Sequence, residues 1–155
     1  MQLGLTMSHW LMKSEPAEFS LEDLKQAPSS WEGVRNYQAR NFMQQMQAND
    51  LVFFYHSSCQ PPGIAGIAKV IKTAYPDSSC WDPKSQYYDP KSTVEQPRWF
   101  MVDIEFVSEF SSLLTLSSIK GNPQIKHLPL VKPGNRLSVM PVSPTEWQAI
   151  LDMVR

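Results

Sequence analysis

The sequence predicts an α+β domain, a small and mainly antiparallel β-barrel with short helices packed around it. Apolar runs typical of strands occur roughly five times, and three or four short segments repeat their apolar residues at helical spacing. Their order does not alternate strand with helix, as a parallel βαβ architecture would require. Thirteen prolines against six glycines favour short strands that are joined by stiff turns. The 155 residues are enough for one domain with a real core.

The first predicted elements are a strand and a short helix. Residues 10–12 form an apolar run, and Pro16 closes it because proline cannot continue a hydrogen-bonded ladder. The helix begins after Ser20, whose hydroxyl can cap it, and Asp23 stands at the position that completes a capping box. Pro28 ends this helix.

A second helix and a buried strand follow a polar cluster between Trp31 and Ser57. Helical spacing over residues 36–47 places one group of apolar side chains on a single stripe, namely Ala39, Phe42, Met43 and Met46. Residues 51–55 form an unbroken apolar and aromatic run, which is typical of a buried strand. The polar residues that start the helix and follow the strand are therefore held on two rigid elements, as in many binding pockets.

Further strands and helices are predicted in the rest of the chain. The strands cover residues 64–71, 99–106 and 136–140, and the helices cover residues 115–120 and 144–154. Gly66, inside the first of these strands, indicates that another backbone or a ligand approaches closely there. Ser143 and Glu146 can form a capping box around Pro144, so the last helix has a strong start signal.

A long loop over residues 78–98 carries a doubled tetrapeptide. The sequence Asp-Pro-Lys-Ser occurs at residues 82–85 and again at residues 89–92, with aromatic side chains beside the copies, namely Trp81, Tyr87 and Tyr88. A loop of this length and aromatic content is uncommon unless it covers something. We therefore expect it to act as a lid over a pocket.

The charge and the cysteine content limit the possible partners. The formal net charge is −1, which argues against non-specific, electrostatically driven nucleic-acid binding, since that needs a basic face. A pocket that reads a single base is still compatible with this charge. No stretch approaches the length of a membrane span, and Cys59 and Cys80 have no metal-like spacing. We predict a monomeric, cytoplasmic protein without metal, cofactor or membrane association.

Seven short segments, in register along the chain, resemble the EVE domain. They are WLMKSEP (10–16), VRNYQARNFM (34–43), LVFFYHS (51–57), PGIAGIAKV (62–70), YYDPKS (87–92), PRWFMVDIEF (97–106) and RLSVMPV (136–142). The EVE family belongs to the PUA-like barrel superfamily and is similar to the YTH readers of methylated adenine. The resemblance implies a PUA-like domain over residues 9–155. We expect residues 1–8, before this domain, to form an N-terminal extension; Met7 also reads well as a start, which would leave residues 1–6 as a loose extension.

The resemblance also implies a pocket at the barrel mouth that accepts a flipped, modified base from DNA or RNA, with methylation as the expected modification. Such a pocket needs aromatic faces for stacking and polar groups for the edge of the base. Its implied wall consists of Lys13, Ser14, Asn36, Tyr37, Arg40, Asn41, Tyr55, His56, Ser57, Trp81 and Tyr88. We expect it between the start of the second helix and the ends of strands 10–12 and 51–55, under residues 81–91.

Several of these residues have a purely structural alternative. Trp81 and Tyr88 fit a pocket wall and a packed loop equally well, and Asn36 can simply cap its helix. Arg35 and Arg40 can hold a phosphate, or they can form surface ion pairs with Glu32 or Asp50. We favour a ligand contact for Arg40 and leave Arg35 open. For Trp99 and Trp147 we predict core positions.

A catalytic function is the least supported class. His56, Ser57 and Cys59 place a base near nucleophiles, but neighbouring residues of a strand point to opposite faces and cannot touch. The chain has three histidines and no clustered carboxylates, which leaves metal catalysis unsupported. We therefore predict a non-catalytic domain that binds nucleic acid and reads a modified base. The alternative is a small-molecule or protein-interaction module, or an enzyme whose catalytic residues are not evident.

Overall fold

The computed structural model describes residues 8–154. Its strands are β1 (His9–Ser14), β2 (Ser29–Ser30), β3 (Leu51–His56), β4 (Gly63–Pro76), β5 (Phe100–Thr115) and β6 (Val139–Val142). Its α-helices are α1 (Leu21–Gln26), α2 (Tyr37–Gln45), α3 (Leu116–Lys120) and α4 (Pro144–Met153), and short 3-10 turns lie at Ser78–Trp81 and Pro129–Val131. The predicted N-terminal extension lies outside the described residues except for Ser8.

The six strands form one mixed sheet in the order β2-β5-β4-β3-β1-β6. β1 and β3 are parallel, and every other neighbouring pair is antiparallel. The α+β class and the mainly antiparallel pairing are therefore confirmed. The prediction of a closed barrel is wrong, because β2 and β6 stand at opposite edges and do not pair within residues 8–154. With two and four residues, these edge strands offer too little backbone to close the sheet.

The predicted helix starts are confirmed by their capping bonds. The Ser20 hydroxyl accepts from the Asp23 N–H at 3.1 Å, and the Asp23 carboxylate accepts from the Ser20 N–H at 2.9 Å. The Ser143 hydroxyl accepts from the Glu146 N–H at 3.1 Å, but the predicted box is only half formed, since the Glu146 carboxylate accepts from the His127 and Leu128 N–H groups. The second helix is shorter than the predicted 36–47, because Asn36 caps it and the last turn ends at Gln45. Local side-chain chemistry thus determines where these helices begin.

The strands differ more from their predicted bounds. β4 continues to Pro76 and β5 continues to Thr115, well past the predicted ends at residues 71 and 106. These extensions contain many exposed residues, so backbone pairing rather than burial holds them and no apolar run marks them. β2 was not predicted, and the last strand begins at Val139 instead of residue 136.

Gly66 confirms the predicted close backbone approach. A Cβ at this position would overlap the Ser108 carbonyl oxygen of the neighbouring strand β5. The β4–β5 register shifts beside Gly66 and at further points along the pair. Glycine is therefore needed where the two strands bend past each other.

The core lies between the sheet and the helices that pack on it, and all four α-helices contribute buried side chains. Ala39 and Met43 of α2 are fully buried. Trp147 of α4 is 5% exposed and stacks on Phe53 of β3 with a ring-centroid distance of 3.7 Å. His9 contacts the same indole at 4.5 Å. Trp147 is thus a core residue, as predicted. Within residues 8–154, the helices are all too short or too polar to span a bilayer.

Replacing Trp147 by alanine should lower the free energy of unfolding by about 3–5 kcal/mol, since it leaves a large cavity over Phe53. Urea denaturation of the wild type and the variant measures this. Tyr88→Ala is the matched control, because Tyr88 is 43% exposed and its removal should change stability by no more than about 0.5 kcal/mol. Equal losses in the two variants would show that Trp147 does not anchor α4.

Candidate functional site

A cleft of about 740 Å³ opens where β1 and β3 end. Because these two strands are parallel, with Ser14 opposite His56, the residues that follow them meet at one edge of the sheet. The Ser57 N–H donates to the Ser14 carbonyl at 2.9 Å and joins the two strand ends. The lining comprises Lys13, Ser14, Glu15, Glu18, Phe19, Ser29, Ser30, Trp31, Glu32, Gly33, Val34, Ser57, Gln86, Tyr87, Arg136 and Ser138.

The aromatic residues of this lining are Phe19, Trp31 and Tyr87. Trp31 is 8% exposed, and its ring stands edge-on to Phe54 at 5.6 Å between centroids. The Trp31 N–H donates to the Val102 carbonyl at 2.8 Å, so its backbone is fixed to β5 as well. Trp31 was not among the residues predicted for the pocket. The available signal was a tryptophan directly before the polar cluster.

Tyr87 reaches the cleft by packing against Gly33. The φ angle of Gly33 is +84°, and a Cβ there would lie 2.5 Å from Tyr87 Cζ. Both the left-handed backbone and the space under the tyrosine ring therefore require glycine. Tyr87 was recognised as a loop aromatic, but Trp81 and Tyr88 were predicted for the pocket wall.

The buried carboxylate of Asp77 connects the two sides of the cleft. It is 0% exposed and accepts from the Gly33 N–H at 2.8 Å and from Arg35 Nη1 at 3.2 Å. Its other oxygen accepts from the Ser79 N–H at 2.9 Å. Arg35, which was left open between a phosphate contact and an ion pair with Glu32 or Asp50, pairs with Asp77 instead.

Arg35 donates hydrogen bonds to acceptors within the protein. Its Nε and Nη2 donate to the Tyr87 carbonyl at 3.2 and 2.9 Å, and Nη2 also donates to the Ser79 hydroxyl at 3.2 Å. Nη1 donates to the Val34 carbonyl at 3.0 Å in addition to Asp77. These bonds use all five N–H groups of a guanidinium. Arg35 thus holds the loop that carries Tyr87.

Three of the predicted site residues line the cleft: Lys13, Ser14 and Ser57. Burial lowers the pKa of Lys13, whose Nζ lies 5.8 Å from the centroid of the Tyr55 ring. Burial, followed by the neighbouring Cys59, raises the pKa of Tyr55 to about 12. The Tyr55 hydroxyl therefore stays protonated at neutral pH.

The acidic and basic groups of the lining are mixed. Lys13 and Arg136 are basic, whereas Glu15, Glu18 and Glu32 are acidic. Burial, then the charges of Glu18 and Glu32, raise the pKa of Tyr87, whose hydroxyl stays neutral as well. The cleft therefore offers both donors and acceptors to a ligand instead of a field of one sign.

The other predicted site residues do not belong to this lining: Asn36, Tyr37, Arg40, Asn41, Tyr55, His56, Trp81 and Tyr88. Asn36 caps α2, with its side-chain oxygen accepting from the Ala39 N–H at 2.9 Å. Tyr55 is 3% exposed and packs under Lys13. Trp81 is half-buried, and its Nε1 lacks a hydrogen-bond partner among the described residues. Tyr88 is exposed on the loop.

His56 lies outside the cleft lining and holds the start of α1. Its Nε2 accepts from the Leu21 N–H at 3.1 Å, at the first residue of α1. This contact requires the neutral ring with its proton on Nδ1, and burial lowers the pKa of His56. The Ser14 hydroxyl donates to the Phe19 carbonyl at 2.6 Å, so Ser14 and His56 together fix the segment before α1.

Tyr37, Arg40 and Asn41 form a second cluster on the outer face of α2. Tyr37 is 52% exposed and stacks on Trp99 at 4.9 Å between ring centroids. The Arg40 guanidinium lies 4.8 Å from the Tyr37 ring centroid, and its Nε and Nη2 donate to the Asn41 side-chain oxygen. The structure thus brings three of the predicted residues together, outside the cleft.

The doubled tetrapeptide builds the loop beside this cluster. The Asp82 carboxylate accepts from the Lys84 N–H at 2.9 Å, and the Asp89 carboxylate accepts from the Lys91 N–H at 3.0 Å, which closes the same turn twice. Asp89 also accepts from Trp99 Nε1 at 2.7 Å. The repeat is therefore explained by loop geometry. Within residues 8–154, no cluster of histidine, cysteine and carboxylate groups is suited to a metal ion.

Comparison with known proteins identifies related chains. The model of the EVE domain family matches residues 8–153. Thymocyte nuclear protein 1 of Gallus gallus is 42% identical over 170 residues, covering 96% of this chain and 69% of that protein. A crystal structure from Pseudomonas syringae matches with a TM-score of 0.93 and 53% identity, covering 95% and 99% of the two chains. The human THYN1 protein, solved in complex with DNA containing 5-methylcytosine, matches with a TM-score of 0.90 and 40% identity, covering 96% and 98%.

The neutral His56 predicts a pH dependence of stability. Burial lowers the pKa of His56 in the folded protein. As the pH falls below the ordinary value of 6.5, the unfolded chain is therefore protonated at His56 before the folded protein is. The contribution of His56 is complete above that pH and declines below it. His56→Gln keeps an acceptor for the Leu21 N–H and does not titrate. Urea midpoints between about pH 8 and pH 5 should therefore fall less steeply for the variant; parallel curves would contradict the prediction.

Proposed function

Because this chain belongs to the EVE domain family, we propose that it is a non-catalytic domain that binds DNA and reads a modified, methylated base in the cleft between Trp31 and Tyr87. The observation that carries the proposal is the meeting of these two aromatic side chains with the polar ends of β1 and β3 in one cleft. The human relative was solved with DNA that contains 5-methylcytosine. 5-Methylcytosine is therefore the first base to test.

The size and lining of the cleft support a base as its ligand. Its volume of about 740 Å³ lies in the usual range of about 300–1,000 Å³ for ligand pockets. A base inside a duplex is not accessible to such a cleft, so the nucleotide must be flipped out or single-stranded. Stacking on an aromatic side chain contributes about 1–3 kcal/mol per base, which offsets part of the unstacking cost.

The polar lining suits the edge of a cytosine. The exocyclic amine of cytosine donates hydrogen bonds, and carboxylates are its usual acceptors in proteins. Glu15, Glu18 and Glu32 are the available carboxylates, and Lys13 and Arg136 can donate to the carbonyl oxygen of the base. We assign Lys13, Ser14 and Ser57 to the base contact, together with Trp31 and Tyr87.

Further parts of this proposal concern partner, fold and location. RNA with a modified base is the second nucleic-acid ligand to test. We also propose that the fold is PUA-like, with a sheet that is open between β2 and β6. A monomer in the cytoplasm remains our expectation. Cys59 and Cys80 are unpaired, which is consistent with a reducing compartment.

Equilibrium binding to matched oligonucleotides tests this function. We expect tighter binding when one cytosine carries a 5-methyl group than for the unmodified strand, with hydroxymethylcytosine and methyladenine strands as comparisons. Tyr87→Ala should reduce this preference because it removes one aromatic face. Tyr87→Phe is the control at the same position, since it keeps the ring over Gly33. Equal affinity of the wild type for all strands would refute the proposal.

A further inference from the structure

A ladder of stacked aromatic and arginine side chains runs from the cleft to the outer face of α2. We call Tyr87, Arg35, Trp99, Tyr37 and Arg40 the aromatic–arginine ladder. The Arg35 guanidinium carbon lies 5.4 Å from the Tyr87 ring centroid and 5.3 Å from the Trp99 ring centroid. Trp99 stacks on Tyr37 at 4.9 Å, and Arg40 lies 4.8 Å from the Tyr37 centroid. The inner end of the ladder is thus a wall of the cleft, and the outer end is at the surface.

The two arginines of the ladder differ in their unused hydrogen-bonding capacity. Arg35 donates all five N–H groups to protein acceptors, as described above. Arg40 donates from Nη1 to the Arg98 carbonyl at 2.9 Å, and from Nε and Nη2 to the Asn41 side-chain oxygen at 3.1 and 2.8 Å. Among the described residues 8–154, these bonds leave one N–H on each Nη of Arg40 without an acceptor.

Asn41 and Tyr37 hold the Arg40 guanidinium in place. Asn41 fixes one edge of the guanidinium through two hydrogen bonds, and the Tyr37 ring supports its face. An arginine that is oriented in this way loses little conformational entropy when it binds an anion. Arg40 also lies 5.9 Å from the Trp99 ring centroid, so Trp99 and Arg40 do not stand on opposite faces of Tyr37. Tyr37 is 52% exposed, and part of its ring is therefore open to solvent beside a positive charge.

We propose that Tyr37 and Arg40 bind the nucleic-acid strand next to the flipped base, Arg40 through a phosphate and Tyr37 through stacking on an adjacent base. This inference rests on the proposed function and extends it from the base to the strand. An exposed aromatic ring beside an arginine with free donors is the combination that binds single-stranded segments. The contact reads no sequence and no modification, because phosphate and base faces are common to all nucleotides.

The spacing along the chain fits this geometry. Val34 lines the cleft, and Tyr37 follows three residues later. Three residues span at most about 10–11 Å even when fully extended. Successive phosphates of one strand advance by about 3.4 Å along a duplex axis. A strand whose modified base lies in the cleft therefore has its next few nucleotides within reach of Tyr37 and Arg40.

The first experiment separates the strand contact from charge in general. Arg40→Gln and Lys120→Gln each remove one positive charge. Lys120 is exposed on α3, which follows the C-terminal end of β5, whereas Trp99 directly precedes the N-terminal end of β5. Dissociation constants for the 5-methylcytosine strand and the unmodified strand are measured over a series of salt concentrations. Arg40→Gln should weaken binding to both strands by the same factor and reduce the slope of log K against log salt by about 1. Lys120→Gln should leave the slope at its wild-type value.

The second experiment tests the stacking contact. Tyr37→Ala should weaken binding to both strands by about 5-fold or more, as expected for one lost base stack, and Tyr37→Phe should not. Replacing the nucleotide on either side of the modified base by an abasic site removes the base but keeps the phosphate. One of the two abasic strands lacks the base that stacks on Tyr37. Tyr37→Ala and the wild type should bind that strand with equal affinity.

The outcomes separate this inference from the proposed function. If Arg40→Gln behaves like Lys120→Gln while the wild type still prefers the methylated strand, the strand contact is refuted and the base reader stands. If the wild type shows no preference but Arg40→Gln loses affinity and salt slope, the base reader is refuted and the strand contact stands. If no strand binds the wild type, both are refuted.

Discussion

The Asp77 carboxylate is the interaction on which the cleft depends. It is fully buried and carries a negative charge, which would be costly without partners. The Gly33 N–H, Arg35 and Ser79 supply those partners from two segments that lie far apart in sequence. Satisfying one buried charge therefore forces the segment after β2 and the loop after β4 to adopt a single relative position. The contact between Tyr87 and Gly33 follows from this position.

Much of the fold could be predicted from the sequence, because its signals are local. The caps at Ser20, Asn36 and Ser143 each act within three residues, and the buried run of β3 is continuous. The ends of β4 and β5 could not be predicted, because exposed paired strands need no apolar pattern. The closed barrel was wrong for a related reason, since closure depends on the length of edge strands that no local signal fixes.

The residues of the candidate site likewise fall into those that were predicted from the sequence and those that depend on long-range contacts. Lys13, Ser14 and Ser57 were predicted from the resemblance to the EVE domain, and β1 and β3 place them at one edge. Trp31 and Tyr87 reach the cleft through a chain of long-range contacts that includes a glycine conformation and a buried ion pair. No spacing in the sequence contains that information. The polar residues at the start of α2, by contrast, lie outside the cleft, where Tyr37 packs on Trp99, and no local pattern in the sequence shows this packing.

The position of β1 between β3 and β6 has a consequence for biosynthesis. The first described strand pairs with the last one, as His9 lies opposite Val142. While the chain is being translated, β1 cannot pair with β6 until nearly all of residues 8–154 have left the ribosome. Folding that depends on such distant pairs is slow for topological reasons. Trp10, Leu11 and Met12 are buried once the sheet is complete, so this strand would expose an apolar edge to other nascent chains until β6 arrives.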